Sequence, residues 1–365
     1  MDQPADPPGL DLARLRAHLD TAAPGLVRGP LSAQVIAGGR SNLSYVLTDG
    51  EHRWVLRRPP LGHVLATAHD MGREHRVMTA LAPTPVPVPA TVLLCADPDV
   101  LGAPFYIMEF VDGAIYRSPA DTRGLDADRC DAIAGALIDT LAELHELDPA
   151  EIGLADFGRP AGFLERQVRR WKTQLDASNS RPLPGAGELH AALAAAVPES
   201  ARPCLLHGDY RLDNVVVGSG DRIAAVLDWE MSALGDPLAD LGLFLVYYSG
   251  VEAIPGVVAA AATGETAFPA PERLVERYAR RRPVDLSRLD WYVAFGFFKL
   301  AVIAEGIYYR FVAGQTVGAG FDRMGDAVLP LITAGTQALA RDEASRRGTT
   351  GTAVTAPGAP PARPR

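Results

Sequence analysis

The stretch Leu205-Leu206-His207-Gly208-Asp209-Tyr210-Arg211-Leu212-Asp213-Asn214 and a second one downstream, Ala225-Val226-Leu227-Asp228-Trp229-Glu230 with Gly235-Asp236-Pro237 after it, decide how the whole chain is read. Between them lie two short apolar runs, Asn214–Val217 and Ile223–Leu227, joined by Gly218-Ser219-Gly220-Asp221. Gly and Asp tolerate the positive φ of a tight turn, so the spacing predicts a small antiparallel hairpin. Such a hairpin brings Asn214 and Asp228 to the same mouth. A lone Asp usually solvates a surface or caps a loop; polar motifs in this order around a hairpin point instead to a site.

Towards the N-terminus the runs Ala33–Ala37, Leu43–Leu47, Arg53–Arg57, Thr91–Ala96 and Phe105–Phe110 are short and rich in Val, Leu, Ile and Tyr. Gly-Gly, Asp-Gly and Pro-containing turns separate them, which predicts five antiparallel strands. One helix is expected over about Asp70 to Leu81, with Asp70 as its cap and Glu74 one turn inside. The run Pro83-Thr84-Pro85-Val86-Pro87-Val88-Pro89 cannot continue that helix and reads as an extended connector. After Gly113 apolar residues recur three and four apart over Asp128–Leu147, Phe163–Gln174, Leu274–Arg281 and Trp291–Val312, the signature of amphipathic helices. His145, on the first of these, reads as a packed histidine.

The expected class is therefore α+β and bilobal. Residues 1–30 form an extension with a short helix near Leu10–Leu19, and 31–110 a small N-lobe of a five-stranded antiparallel sheet plus one helix. Residues 111–342 form a larger, mainly helical C-lobe, and 343–365 a tail of Gly, Thr, Ala and Pro too poor in large apolar residues to order itself.

Composition narrows the function classes. A chain of 365 residues, 48% hydrophobic and 22% charged, is large enough for two packed lobes. Its net charge of −9 argues against a general nucleic-acid binder, which needs a dense basic face. Cys95, Cys130 and Cys204 match neither a disulfide framework nor a zinc-ligand spacing, and are expected to be buried free thiols in a reducing cytoplasm. The opening Met1-Asp2-Gln3-Pro4-Ala5-Asp6 lacks the basic and apolar regions of a signal peptide, so no export is expected. Lys299, Glu305 and Arg310 interrupt Trp291–Val312, which reads as a buried helix and not a membrane span. The sequence contains no G-x-x-x-x-G-K-[ST], H-E-x-x-H or G-x-S-x-G motif.

The stretches quoted first resemble the aminoglycoside-phosphotransferase family, a branch of the protein-kinase-like fold. Its catalytic loop reads H-G-D-x-x-x-x-N, and its metal-binding segment begins with an Asp after a strand. With Asp228-Trp229-Glu230 and Gly235-Asp236-Pro237-Leu238-Ala239-Asp240, the string is similar in particular to kinase-like domains attached to some acyl-CoA dehydrogenases and to their free-standing bacterial relatives. The likeness runs roughly from Leu31 to Ala340 and is strongest between Cys204 and Leu241.

That resemblance implies a kinase that transfers a phosphoryl group from ATP, with GTP an open alternative, to a hydroxyl of a small molecule, with Mg²⁺ as cofactor. Phosphoryl transfer asks a protein mainly for a positioned hydroxyl, metal ions on the phosphates and compensated charge. By the resemblance Asp209 receives or orients the hydroxyl proton and Asn214 and Asp228 hold Mg²⁺, which suits one carboxylate, one amide oxygen and phosphate oxygens. His207 is then a structural partner of the loop. Asp236 caps a turn or braces that loop, and Asp240 caps the following helix.

By the same resemblance Gly39, Arg40, Ser41 and Asn42 of the N-lobe would occupy the turn that approaches phosphates, and Glu109 and Val111 would belong to the hinge that meets adenine. The third strand ends Leu56-Arg57-Arg58 where the family usually carries a phosphate-contacting Lys. Arg57 aligns best and would pair with Glu74; Arg58 stays open, since neighbouring strand residues face opposite sides. Arg can hold a phosphate through its fork in place of a point charge. The change motivates one alternative, a nucleotide-binding regulatory module without catalysis, against which the retention of Asp209, Asn214 and Asp228 counts. A metal-dependent phosphohydrolase would need more clustered His and Asp. The apolar helix Trp291–Val312 and the acyl-CoA-dehydrogenase-associated likeness favour a hydroxyacyl acceptor over an aminoglycoside.

Overall fold

A computed structural model describes residues 6–36, 42–61, 70–178, 180–200, 202–249, 267–315 and 321–350. Asp11 caps α1 (Leu12–Ala22) by accepting from the Arg14 N–H, and the helix buries Leu15 and Leu19. There follow β1 (Ser32–Val35), β2 (Leu43–Thr48), β3 (Arg53–Arg58), α2 (Met71–Leu81), β4 (Thr91–Cys95), the short α3 (Pro98–Leu101) and β5 (Phe105–Glu109). The five strands form one antiparallel sheet in the order β1-β2-β3-β5-β4. As expected, α2 starts after Asp70, whose carboxylate accepts from the Arg73 N–H.

Strand alternation sends Trp54, Leu56 and Arg58 of β3 and Phe105 and Ile107 of β5 to one face. There the apolar ones join Leu15, Leu19, Tyr45 and Leu101 in a single core. Arg58 donates to the carbonyls of Gly9 and Leu101 (2.9 Å to the latter), and Tyr45 Oη donates to Pro8 O at 2.6 Å. These bonds pin residues 8–10 to the sheet. Arg57 and Tyr106 point to the opposite face, towards α2. The period of two therefore decides between the adjacent arginines.

The chain continues through α4 (Pro119–Thr122), α5 (Ala127–Glu146), α6 (Phe163–Ser178), α7 (Ala186–Ala195), β6 (Cys204–Leu206), β7 (Val215–Val217), β8 (Ile223–Val226), β9 (Ala233–Gly235), α8 (Pro237–Ser249), α9 (Pro271–Arg281), α10 (Leu289–Val312) and α11 (Val328–Thr350). The predicted hairpin is β7–β8, with Val216 opposite Ala225, and its turn places Gly220 and Asp221 at φ 68° and 54°. A second antiparallel pair, β6–β9, sets Leu205 opposite Leu234. Met1–Leu164 with Ser200–Val284 form one compact unit, and Glu165–Glu199 with Asp285–Arg365 another.

In the first unit α9 lies along α5 through ion pairs: Arg273 with Asp131, Arg277 and Arg281 with Asp139, and Arg282 with Glu146. Within the second unit α10 packs on α7 and α11. Its Trp291, Tyr292, Phe295 and Phe298 are buried, so they are core and not the lining of an acceptor pocket. Glu305, buried on the same helix, pairs with Arg181 at 2.8 Å. The helix passes a length and hydropathy test for crossing a membrane, yet 61% of its apolar window is already buried in the fold. The three cysteines are buried and free. Helix α11 continues to Thr350, past the Glu343 at which loose chain was expected, and the i,i+4 pairs of Asp342 with Arg346 and Glu343 with Arg347 lie along this extension; 351–365 lie outside the described residues.

Truncating Leu56, fully buried beneath β3, tests the packing of the sheet face. Leu56→Ala is expected to lower stability by about 2–5 kcal/mol, read from denaturant unfolding. A loss near zero would mean that α1 and α3 do not cover this face.

Candidate active site

The segment from His207 to Asn214 follows β6 and is held from below by one carboxylate. Asp240, buried in the first turn of α8, accepts from the His207 N–H at 2.6 Å and from the Gly208 N–H at 2.9 Å. Burial by itself would raise its pKa, but His145, His207 and these hydrogen bonds outweigh burial and hold the carboxyl below its ordinary range. His145 lies 3.5 Å away through Nε2 and meets the Tyr278 hydroxyl through Nδ1 at 2.8 Å. Asp240 thus sits inside the helix it was expected to cap. The capping falls to Asp236, which accepts from the Leu238 N–H at 2.9 Å. Gly208 has φ +84°, and a Cβ there would lie 2.4 Å from Met231 O, so the turn requires glycine.

Both ring nitrogens of His207 are engaged. Nε2 meets Leu227 O at 2.8 Å, and Nδ1 accepts from the Asp209 N–H at 3.2 Å. This pattern fits the neutral ring protonated on Nε2, packed against Trp229, and leaves no nitrogen to act as a base. The ring braces the loop against the hairpin, as the sequence reading expects.

Asp209 projects from this brace with its side chain about one-quarter exposed. Its Oδ2 accepts from Asn214 Nδ2 at 3.0 Å and lies 3.3 Å from Arg211 Nε; its Oδ1 accepts from the Tyr247 hydroxyl at 2.5 Å. Asn214 Nδ2 also donates to Asp209 O at 2.9 Å, so the amide oxygen is the group Asn214 has left to offer a cation. Asn214 O accepts from the Leu227 N–H at 2.8 Å, which sets Asp228 beside it. Asp228 adopts φ 64° and ψ 65°, a left-handed conformation that Asp tolerates better than most side chains.

Across from Asp228 stands Arg57. Its Nε is 3.1 Å from Glu74 Oε2, one Nη2 contacts Asp228 Oδ1, and the same Nη2 lies 3.7 Å from Glu230 Oε2. Burial disfavours the guanidinium charge, but Asp228, Tyr106, Glu74 and Glu230 more than compensate and push its pKa up. Glu74, 1% exposed, is pushed by burial up to about 7, with Arg57 and the Tyr106 hydroxyl (3.0 Å) pulling it down. Asn42 Nδ2 donates to Glu74 Oε1 at 3.1 Å and to Glu230 Oε2 at 3.0 Å. Asn42 therefore ties α2 to the turn after Asp228, and its amide nitrogen is already engaged.

Asp209, Asn214, Asp228, Arg57 and Glu74 come together in this way, while Glu109 and Val111 form no hydrogen bond or ion pair with them. Glu109 ends β5 with an exposed side chain and its N–H on Ala90 O at 2.9 Å; Val111 is half-buried. Gly39, Arg40 and Ser41 lie outside the described residues. Sequence reasoning missed Tyr247, Arg211 and Tyr106 and gave Glu230 no role. Only Arg211 and Glu230 had a signal, as neighbours of the two motif aspartates.

No group of three or more His, Cys, Asp or Glu among the described residues is arranged to hold a metal alone. The donor set is nevertheless that of a hard, phosphate-bound cation: a partly exposed carboxylate at Asp228, the Asn214 amide oxygen, and, among the described residues, more carboxylates than the guanidiniums of Arg57 and Arg211 balance. Mg²⁺ typically takes one or two protein oxygens and completes its shell with phosphates and water, so these residues fit it.

A family model described as a phosphotransferase enzyme family matches residues 32–279. The rat acyl-CoA dehydrogenase family member 11 is 36% identical over 335 residues, covering 90% of this chain but 43% of the relative's length. A Ralstonia eutropha JMP134 protein provisionally named an aminoglycoside phosphotransferase is 31% identical with a TM-score of 0.78, over 91% of this chain and 98% of that one. The GDP complex of aminoglycoside 2'-phosphotransferase-IIIa matches over 92% of this chain and 100% of that one with a TM-score of 0.57 and 16% identity, a likeness of fold.

Asp240→Asn replaces the acceptor beneath the loop with an amide that must turn one NH₂ towards its former donors. It is expected to lower stability by about 3 kcal/mol or more, since two hydrogen bonds to a buried charge are weakened together. Thermal or denaturant unfolding checks this, and an unchanged midpoint would show that the loop is held by other contacts.

Proposed function

The chain belongs to the phosphotransferase enzyme family, and from that premise we propose that it transfers the γ-phosphoryl group of ATP, or of GTP, to a hydroxyl of a small molecule. The observation that carries this is the joint placement of Asp209, Asn214 and Asp228 around one hairpin. Asp228 and the Asn214 oxygen would hold Mg²⁺, which when bound neutralises phosphate charge and orients the phosphates. Asp209, with Oδ2 fixed by Asn214 and Arg211, presents Oδ1 to orient the acceptor hydroxyl and take its proton. Arg57 supplies the positive charge usually carried by a lysine, its fork contacting Glu74 and Asp228 at once. The backbone following β5 would meet the base.

A hydroxyacyl compound is the acceptor class we favour. The likeness to part of a protein named as an acyl-CoA dehydrogenase family member supports it, and a polycationic aminoglycoside is the less favoured alternative. The buried aromatics of α10 lend no support to either. Work in the cytoplasm is part of the same proposal.

Thermal stabilisation by ATP with and without Mg²⁺ tests the donor side without knowledge of the acceptor. Mg-ATP at a hundredfold its dissociation constant should add roughly 2.7 kcal/mol to the wild type. Asp228→Ala should lose most of that gain, Asp209→Asn should retain it, and Asp209→Asn should then depress turnover of any acceptor by about 10²–10⁴-fold. No stabilisation of the wild type at any Mg²⁺ concentration would remove the donor from the proposal.

A further inference from the structure

Tyr247 is a buried phenol on α8, and its hydroxyl donates to Asp209 Oδ1 at 2.5 Å. Oδ2 of the same carboxylate is taken by Asn214 and Arg211, and the Arg211 guanidinium lies 5.1 Å from the centre of the Tyr247 ring. The phenol thus stands against the oxygen to which, on the phosphotransferase reading above, an acceptor hydroxyl would donate, and fills one of its two acceptor positions. Chemically it imitates that hydroxyl. Burial and the Asp209 charge push the phenol well above its ordinary pKa, so it remains a donor.

We propose that Tyr247 is a specificity-determining residue that holds the acceptor-hydroxyl seat on Asp209, so that an alcohol and not water receives the phosphoryl group. In either transfer the hydroxyl proton passes to Asp209 Oδ1, the oxygen bonds to the γ-phosphorus, and the bond from that phosphorus to the nucleoside diphosphate breaks. With water the product is free phosphate. A water molecule that displaces Tyr247 gains one hydrogen bond while leaving a buried phenol without its partner, an exchange with no net driving force. An alcohol on a larger molecule brings binding energy from its remaining contacts, and that energy can drive the displacement. Phosphorylation of Tyr247 itself is disfavoured, because the new charge would stay beside Asp209 and Asp213.

The test is release of inorganic phosphate from Mg-ATP with no acceptor present, comparing the full-length wild type with Tyr247→Phe, which keeps the ring and loses only the seat-holding hydroxyl. Nucleotide affinity is measured alongside by a fluorescent analogue. Tyr247→Phe should release phosphate at least about fivefold faster, with nucleotide affinity within about twofold of wild type. Adding Asp209→Asn should abolish the gain. Equal or slower release with nucleotide binding intact overturns the inference, since the phenol would then only position Asp209. Phosphate found on Tyr247 of the wild type by mass spectrometry overturns it too. Absence of nucleotide binding in the wild type sinks the phosphotransferase reading itself, and so differs from failure of the inference alone.

Discussion

Everything around the candidate site depends on one buried carboxylate. Asp240 meets two successive backbone N–H groups at the bend after β6, at a depth where an unpaired donor or an unpaired charge would each be severely destabilising. Because both donors belong to the loop, the loop has one permitted path. That path turns the His207 ring onto Leu227 O and the Asp209 N–H, and Leu227 in turn pairs with Asn214. The loop and hairpin are thereby locked to α8, the same helix that delivers Tyr247 to Asp209.

A second layer of order is electrostatic. Among the described residues Arg57 is a cation that pairs with Glu74, Asp228 and Glu230, and its planar fork reaches carboxylates on α2 and beyond β8 together. A lysine ammonium in its place would offer a single point charge. Asn42 links Glu74 and Glu230 in parallel, so β3, α2 and the turn after Asp228 are tied by charge and amide at once. The left-handed Asp228 is tolerable in such a frame, since its side chain is held where the backbone sends it. Among the described residues the carboxylates exceed their cationic partners, a balance that favours a divalent cation.

Much of this was legible in the sequence because its signals are local. The sheet declared itself through short alternating runs, α2 through Asp70 and its periodicity, and the hairpin through a turn rich in Gly and Asp. Asp209, Asn214 and Asp228 stood in motifs of fixed order, and alternation along β3 was enough to separate Arg57 from Arg58 once the core face was known. The illegible parts are non-local or lack contrast. Helix α8 is apolar on nearly every side, so it shows no amphipathic period, and within it Tyr247 looks like one more core aromatic. The three-residue strands β6 and β9 are defined by each other and not by their own composition. Asp240 misled in a specific way: an Asp near a helix start suggests a cap, whereas its partners lie thirty-two and thirty-three residues earlier in the chain.

A crystal structure with Mg²⁺ and a non-hydrolysable ATP analogue tests the central claim most directly. The predicted result is a cation ligated by the Asp228 carboxylate and the Asn214 amide oxygen, with the γ-phosphate facing Asp209. A nucleotide bound elsewhere, or a cation that touches neither Asp228 nor Asn214, would contradict it.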